Sequence, residues 1–113
     1  MAPPLQFQSS PLTDGVVLRP EGEIDLARSP ELRLRLREEL ARSPRRLVVD
    51  LAAVPYMDSS GVATLVEALQ RSRSAGCKLL LAALQPKVRS IFAISRLDTV
   101  FQIAATAEEA AAI

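Results

Sequence analysis

Between residues 47 and 69 the chain changes its hydrophobic period once, and abruptly. Leu47-Val48-Val49-Asp50-Leu51 is a nearly continuous apolar run, the pattern of a strand covered on at least one face and central in its sheet. Val62, Leu65, Val66 and Leu69 then recur at helical spacing. Val54-Pro55-Tyr56-Met57-Asp58-Ser59-Ser60-Gly61 stands between them, so a strand, a turn and a helix start follow one another.

The flanking segments read in the same terms. Leu5-Gln6-Phe7-Gln8 alternates as a short strand, Thr13-Asp14-Gly15 is a turn signal, and Val16-Val17-Leu18-Arg19 returns as the hairpin partner. Pro20 cannot donate to a ladder and marks the end of that strand or an edge. Ile24 and Leu26 are expected in the core, with Glu23 and Asp25 on an exposed connecting loop. There they either contact a partner or, for Asp25, fix the turn. Ser29-Pro30-Glu31 predicts a helix start with Ser29 as N-cap. Leu32-Arg33-Leu34-Arg35-Leu36-Arg37 alternates like a strand, yet Leu32, Leu36 and Leu40 share a helical face. Glu31/Arg35, Arg35/Glu39 and Glu38/Arg42 are opposite charges at i,i+4. The start signal and the length decide for helix, leaving Leu34 at the edge of the apolar face, and Ser43-Pro44 closes it.

Gly76 ends the second helix, and Cys77 to Ala82 is the next strand. Pro86 opens a third helix with Val88, Ile91, Phe92 and Ser95 on one face and Asp98 at its end. Val100 to Ile103 is a last strand and Thr106 to Ile113 a last helix. The predicted order is β-β-α-β-α-β-α-β-α, an α/β fold with parallel pairs and right-handed crossovers. At 113 residues this is one domain, 1–113, with residues 1–4 as a loose tail.

Composition removes several function classes. The formal net charge is +1, and Arg is interleaved with Glu and Asp, so no basic face for nucleic acid is expected. There is no histidine, hence neither the commonest general base nor the commonest metal ligand. The one cysteine, Cys77, reads as a small buried hydrophobe and allows no internal disulfide. No apolar run approaches about 18 residues and no export signal precedes the domain, so a cytoplasmic protein with no membrane association is expected.

The turn at 54–61 is where chemistry is expected. Asp58 is placed to accept N–H groups of the first helical turn, and Ser59 and Ser60 are the first helical residues. Gly61 lacks a side chain, which predicts open space for a partner's backbone or a phosphate. An ordinary capped helix and a phosphorylatable docking turn both fit these residues. A nucleophilic serine is disfavoured: besides the missing histidine, there is no Ser-x-x-Lys or Gly-x-Ser-x-Gly arrangement.

Gly22-Glu23-Ile24-Asp25, then Val49-Asp50-Leu51 with Tyr56-Met57-Asp58-Ser59-Ser60-Gly61, then Gly76 before a strand and Pro86-Lys87-Val88-Arg89 with Phe92, follow one another in the order of a known family. The chain resembles a STAS domain of the bacterial anti-sigma factor antagonist type over roughly residues 14–104. After Gly61, Val62-Ala63 stands where sporulation-type members often carry Leu-Gly. The resemblance implies a STAS fold: a mixed β-sheet of four to five strands with about four helices packed largely on one side. It implies partner switching rather than catalysis. The unphosphorylated chain binds an anti-sigma factor that is itself a serine kinase and carries the ATP. That frees a sigma factor; phosphorylation releases the antagonist and a serine phosphatase resets it. The serine directly after the aspartate, Ser59, is the implied acceptor. Asp58, Ser60 and Gly61 are implied at the docking surface, with Glu23 and Asp25 as further contacts. No cofactor or metal belongs to the chain itself, and a monomer exchanging partners is the simplest state. The alternative within the family is a STAS docking subunit of a stress-sensing or lipid-transport complex, without a phosphorylation cycle.

Overall fold

The computed structural model describes residues 3–113; of the predicted tail, Met1 and Ala2 lie outside the described residues. Pro3 and Pro4 are exposed, but the Pro3 carbonyl accepts a hydrogen bond from Arg28 Nε at 2.7 Å, so the chain is held from there on. The elements are β1 (Gln6–Leu12), β2 (Gly15–Glu21), α1 (Ser29–Ala41), β3 (Arg46–Asp50), α2 (Ser59–Ser74), β4 (Lys78–Ala82), α3 (Pro86–Ile94), β5 (Gln102–Ala104) and α4 (Ala107–Ala111). A 3-10 turn over Leu97–Thr99 precedes β5, and Asp98 falls inside it.

The five strands lie in sequence order, β1-β2-β3-β4-β5. β1 and β2 form the antiparallel hairpin, with Leu12 opposite Gly15. β2–β3, β3–β4 and β4–β5 are parallel, and β3 is central, as its apolar run requires. Adding each parallel strand on the same side of the last, by crossovers of one hand, places every crossover helix on one face. Leu32, Leu36 and Leu40 of α1, Leu65 and Leu69 of α2, and Val88 and Phe92 of α3 accordingly share one core with Leu47, Val49, Leu79 and Leu81. α4 follows the last strand and crosses to nothing. It takes the other face, where Ala110 packs with Val48, Leu80, Ala82 and Ala104.

The strand-like alternation in α1 has a tertiary cause. Arg33 and Arg37 both reach Glu67 of α2 at 2.9 Å, while Arg35 turns the other way, to Glu39 at 2.9 Å and over the Phe7 ring at 5.3 Å. The leucine stripe is thus flanked by arginines that each have a partner, and Leu34 is left 60% exposed. Of the predicted i,i+4 pairs, Arg35–Glu39 forms. Glu31 instead accepts the Leu5 N–H, and Arg42 pairs with Glu39.

Several local expectations are corrected. β1 runs on to Leu12, because the hairpin register pairs every residue as far as the turn. β2 continues through Pro20 against β1, although its pairing with β3 stops at Leu18. Ser29 is not the N-cap: it is buried as the first helical residue, and Asp25 holds the helix start through its carbonyl and carboxylate. Cys77 is buried but precedes β4, and Ser95 is exposed beyond the end of α3. Val100 lies outside β5 and is exposed.

Gly15 sits where β2 meets β3. A Cβ there would stand 1.8 Å from the Arg46 carbonyl oxygen, so backbone would have to move. Gly15→Ala is expected to destabilise the fold by about 2 kcal/mol or more, read as a lower urea midpoint at unchanged m-value. Gly76→Ala, at φ +70° with nothing among the described residues within 4 Å of the added Cβ, is expected to cost only about 1 kcal/mol.

Candidate functional site

The two motifs read separately in the sequence lie side by side. Beyond the end of its ladder with β3, the chain leaving β2 stays parallel to the loop that follows β3. Gly22 N–H donates to Ala53 O at 3.0 Å, Ile24 N–H to Tyr56 O at 3.0 Å, and Asp58 N–H to Ile24 O at 3.1 Å. Ile24 and Met57 form an isolated parallel bridge, and both side chains are fully buried. The backbone of Gly22-Glu23-Ile24-Asp25 therefore fixes the height and angle at which Asp58 enters α2.

Asp58 is the N-cap. Its carboxylate accepts the N–H groups of Ser60 at 2.9 Å and Gly61 at 3.4 Å, satisfying two of the donors a helix start leaves unpaired. The Ser60 hydroxyl donates to the same oxygen, Asp58 Oδ1, at 2.5 Å. Burial, the largest single influence, disfavours ionisation of Asp58. The hydrogen bonds from the Ser60 hydroxyl and from the N–H groups of Ser60 and Gly61, with the Leu26 backbone nearby, together outweigh it, holding the carboxyl below the usual carboxylate range.

The two serines are thereby separated in role. Ser60 is half-buried, its hydroxyl engaged by Asp58 and its carbonyl accepting from Thr64 Oγ1 at 2.9 Å. Ser59 is exposed, and its hydroxyl has no hydrogen-bond partner among the described residues. Ala63, one turn on, is also exposed, so no long side chain stands beside Ser59 on that line of the helix.

Gly61 corrects the expectation of open space. It is buried, and a Cβ there would meet Met57 Cγ at 2.5 Å and Ile24 Cγ2 at 2.8 Å. The glycine admits the bridge between the two motifs, from the inside. Asp25 also works locally: its carboxylate accepts the Arg28 N–H at 3.1 Å and pairs with the Arg28 guanidinium at 3.4 Å. Glu23 is exposed beside it.

Two residues at this surface escape a sequence reading. Leu26, expected in the core, is 75% exposed next to Asp58, and Tyr56 is 42% exposed in the turn itself. Periodicity has nothing to work on in a connecting loop, so apolar character alone misplaces Leu26. With Ser59 and Ala63 they are the exposed small and apolar groups on the segments that meet at this turn, and Glu23 is exposed on the same loop as Leu26.

Asp58→Ala should cost about 1 kcal/mol in urea unfolding at neutral pH. The folded-state pKa is depressed, so this contribution is present above the unfolded value near 3.8 and lost as pH falls through the folded one. The difference between wild type and variant should therefore shrink below about pH 4.

A family model described as the STAS domain matches residues 5–110. The anti-sigma-B factor antagonist of Listeria monocytogenes is 30% identical over 91 residues, covering 80% of each chain. The solved anti-sigma factor antagonist SpoIIAA of Bacillus superposes in its unphosphorylated form with a TM-score of 0.78 at 26% identity, covering 93% of this chain and 92% of that one. Its phosphorylated form gives a TM-score of 0.71 at 25% identity, covering 93% and 96%. A sulfate transporter family protein from Wolinella succinogenes shares the fold, with a TM-score of 0.72 at 17% identity over 85% of this chain and 80% of that one. With both motifs in place at one surface, the chain belongs to the STAS domain family and groups with its anti-sigma factor antagonists.

Proposed function

We propose that this chain is a phospho-regulated anti-sigma factor antagonist whose docking surface is centred on Ser59. Unphosphorylated, it binds an anti-sigma factor with serine kinase activity and so frees a sigma factor. The partner carries the ATP, transfers phosphate to Ser59 and releases the chain, and a serine phosphatase resets it. The chain acts as one non-catalytic domain and as a monomer that exchanges partners. The observation that carries the choice of serine is the contrast between the exposed, unengaged hydroxyl of Ser59 and the Ser60 hydroxyl held by Asp58.

The switch acts on the interface rather than on the fold. A phosphate adds about −1.5 to −2 charges. At the first helical position the helix dipole favours it by roughly 0.3–1 kcal/mol, while the ionised Asp58 opposes it. These terms nearly cancel within the domain. At a complementary surface they do not: desolvating a dianion beside Leu26 and Tyr56, without a new cation, costs several kcal/mol, and each 1.4 kcal/mol is tenfold in affinity. The likeness of this chain to both forms of SpoIIAA supports a fold that tolerates either state.

Incubation with the kinase partner and ATP, followed by mass spectrometry, tests the reading. Phosphate is expected on Ser59 and lost in Ser59→Ala, with amide NMR shifts confined to the surroundings of α2's first turn. A stable complex that never becomes phosphorylated would instead mark a plain docking subunit, and phosphate on Ser60 would overturn the serine assignment. Leu26→Asp is expected to weaken partner binding at least about tenfold without lowering the thermal midpoint, since the side chain supports no core.

A further inference from the structure

Asp50, the aspartate of the strand motif, takes no part in the Ser59 surface. Along β3 it alternates to the opposite face of the sheet, with Val48. There α4 packs on β3, β4 and β5, and a cavity of about 300 Å³ lies between it and the β1–β2 hairpin. Three charged side chains border it, Arg19 from β2, Asp50 from β3 and Glu108 from α4, and Leu12, Val17 and Ala111 supply an apolar wall.

The charges around this cavity do not satisfy one another. Asp50 is only 9% exposed and accepts one hydrogen bond among the described residues, from Ala52 N–H to Oδ1 at 3.0 Å. Neither Asp50 nor Glu108 has an ion-pair partner within 4.0 Å among the described residues. Arg19 is the obvious candidate, because the parallel register Val17↔Val48, Leu18↔Val49 brings it next to Asp50. It leans instead toward Glu21, whose Oε1 is 4.0 Å from Nε, and the buried Nε has no hydrogen-bond partner among the described residues. A buried donor without an acceptor carries an unrecovered desolvation cost, and Asp50 beside it is a largely buried carboxylate with no cation within ion-pair reach among the described residues. They share one cavity, whose size matches the small end of ligand sites.

An occupant that matches this lining brings an anion to Arg19 and a cationic donor to Asp50, with the exposed Glu108 at the rim as a second acceptor, joined by a short apolar body. We propose that this cavity binds a small zwitterion of the α-amino acid class. Its carboxylate lies on the Arg19 guanidinium, its ammonium group between Asp50 and Glu108, and its aliphatic side chain against Leu12 and Val17. The site is on the opposite face of the sheet from the helix that carries Ser59 and does not depend on how that surface is used.

The test is a titration of the ¹⁵N-labelled full chain with L-leucine, followed by amide shifts. Isopentylamine and 4-methylpentanoate, each lacking one of the two charges, serve as comparison ligands. L-Leucine is expected to give saturable shifts at residues bordering the cavity, and either single-charge analogue to bind at least about tenfold more weakly. Glu108→Gln and Arg19→Gln should each weaken L-leucine binding about tenfold at unchanged thermal midpoint. Glu108 lies on an exposed part of α4, so its variant keeps the fold even where a change in the strand does not. No saturable shift at the cavity, as a cavity holding only water would give, overturns the proposal. So does equal binding of all three compounds, or indifference to Glu108→Gln.

Discussion

The parallel ladder through β2, β3 and β4 is the constraint on which the rest of this molecule depends. Once each new strand is added on the same side by a crossover of the same hand, three helices must share one face, and the loops leaving the strands must share one end. The loop after β2, the loop after β3 and the start of α2 meet there. The hydrogen bonds from Gly22 to Ala53, Ile24 to Tyr56 and Asp58 to Ile24 continue the β2–β3 pairing into that region. The functional turn is thus an extension of the sheet, held by backbone before any side chain contributes. Sites at the carboxyl ends of parallel strands are the general outcome of this geometry.

Within that frame a single carboxylate divides the labour between two adjacent serines. Asp58 closes the helix start and takes the Ser60 hydroxyl as it does so, so one serine becomes part of the cap and the other remains available. Gly61 belongs to the same unit. Its missing side chain is filled by Met57 and Ile24, which lets the two motif segments approach. The capped turn thus carries one exposed hydroxyl beside one held by the cap.

The helix α1 shows how a tertiary partner can explain a local pattern that misleads. Alternating Leu and Arg is a strand signature, but the helix buries Leu32, Leu36 and Leu40 on the sheet, and in that form Arg33 and Arg37 meet Glu67 on one side while Arg35 meets Glu39 and Phe7 on the other. Leu34 is the one member of the alternation with no place to go. In the loop after β2, Ile24 and Leu26 are equally apolar, yet one is fully buried and the other mostly exposed. The difference lies in the bridge to Met57, a contact across more than thirty residues of chain that no local pattern encodes.

What the sequence by itself determined was the order of elements, the central place of β3, the cap at Asp58 and the position of the serines. Each of these rests on hydrophobic period, turn chemistry or helix-end chemistry over a few neighbouring residues. Only the tertiary structure decided the placements within the motif: that Gly61 faces inward, that the Ser60 hydroxyl is tied to Asp58 while Ser59 is exposed, that Asp25 rather than Ser29 holds the start of α1, and that Leu26 is exposed. It also decided that α4 takes the far face and leaves Arg19, Asp50 and Glu108 around one cavity. These outcomes depend on which distant segments meet, and burial and hydrogen-bond partnership are properties of that meeting rather than of any residue alone.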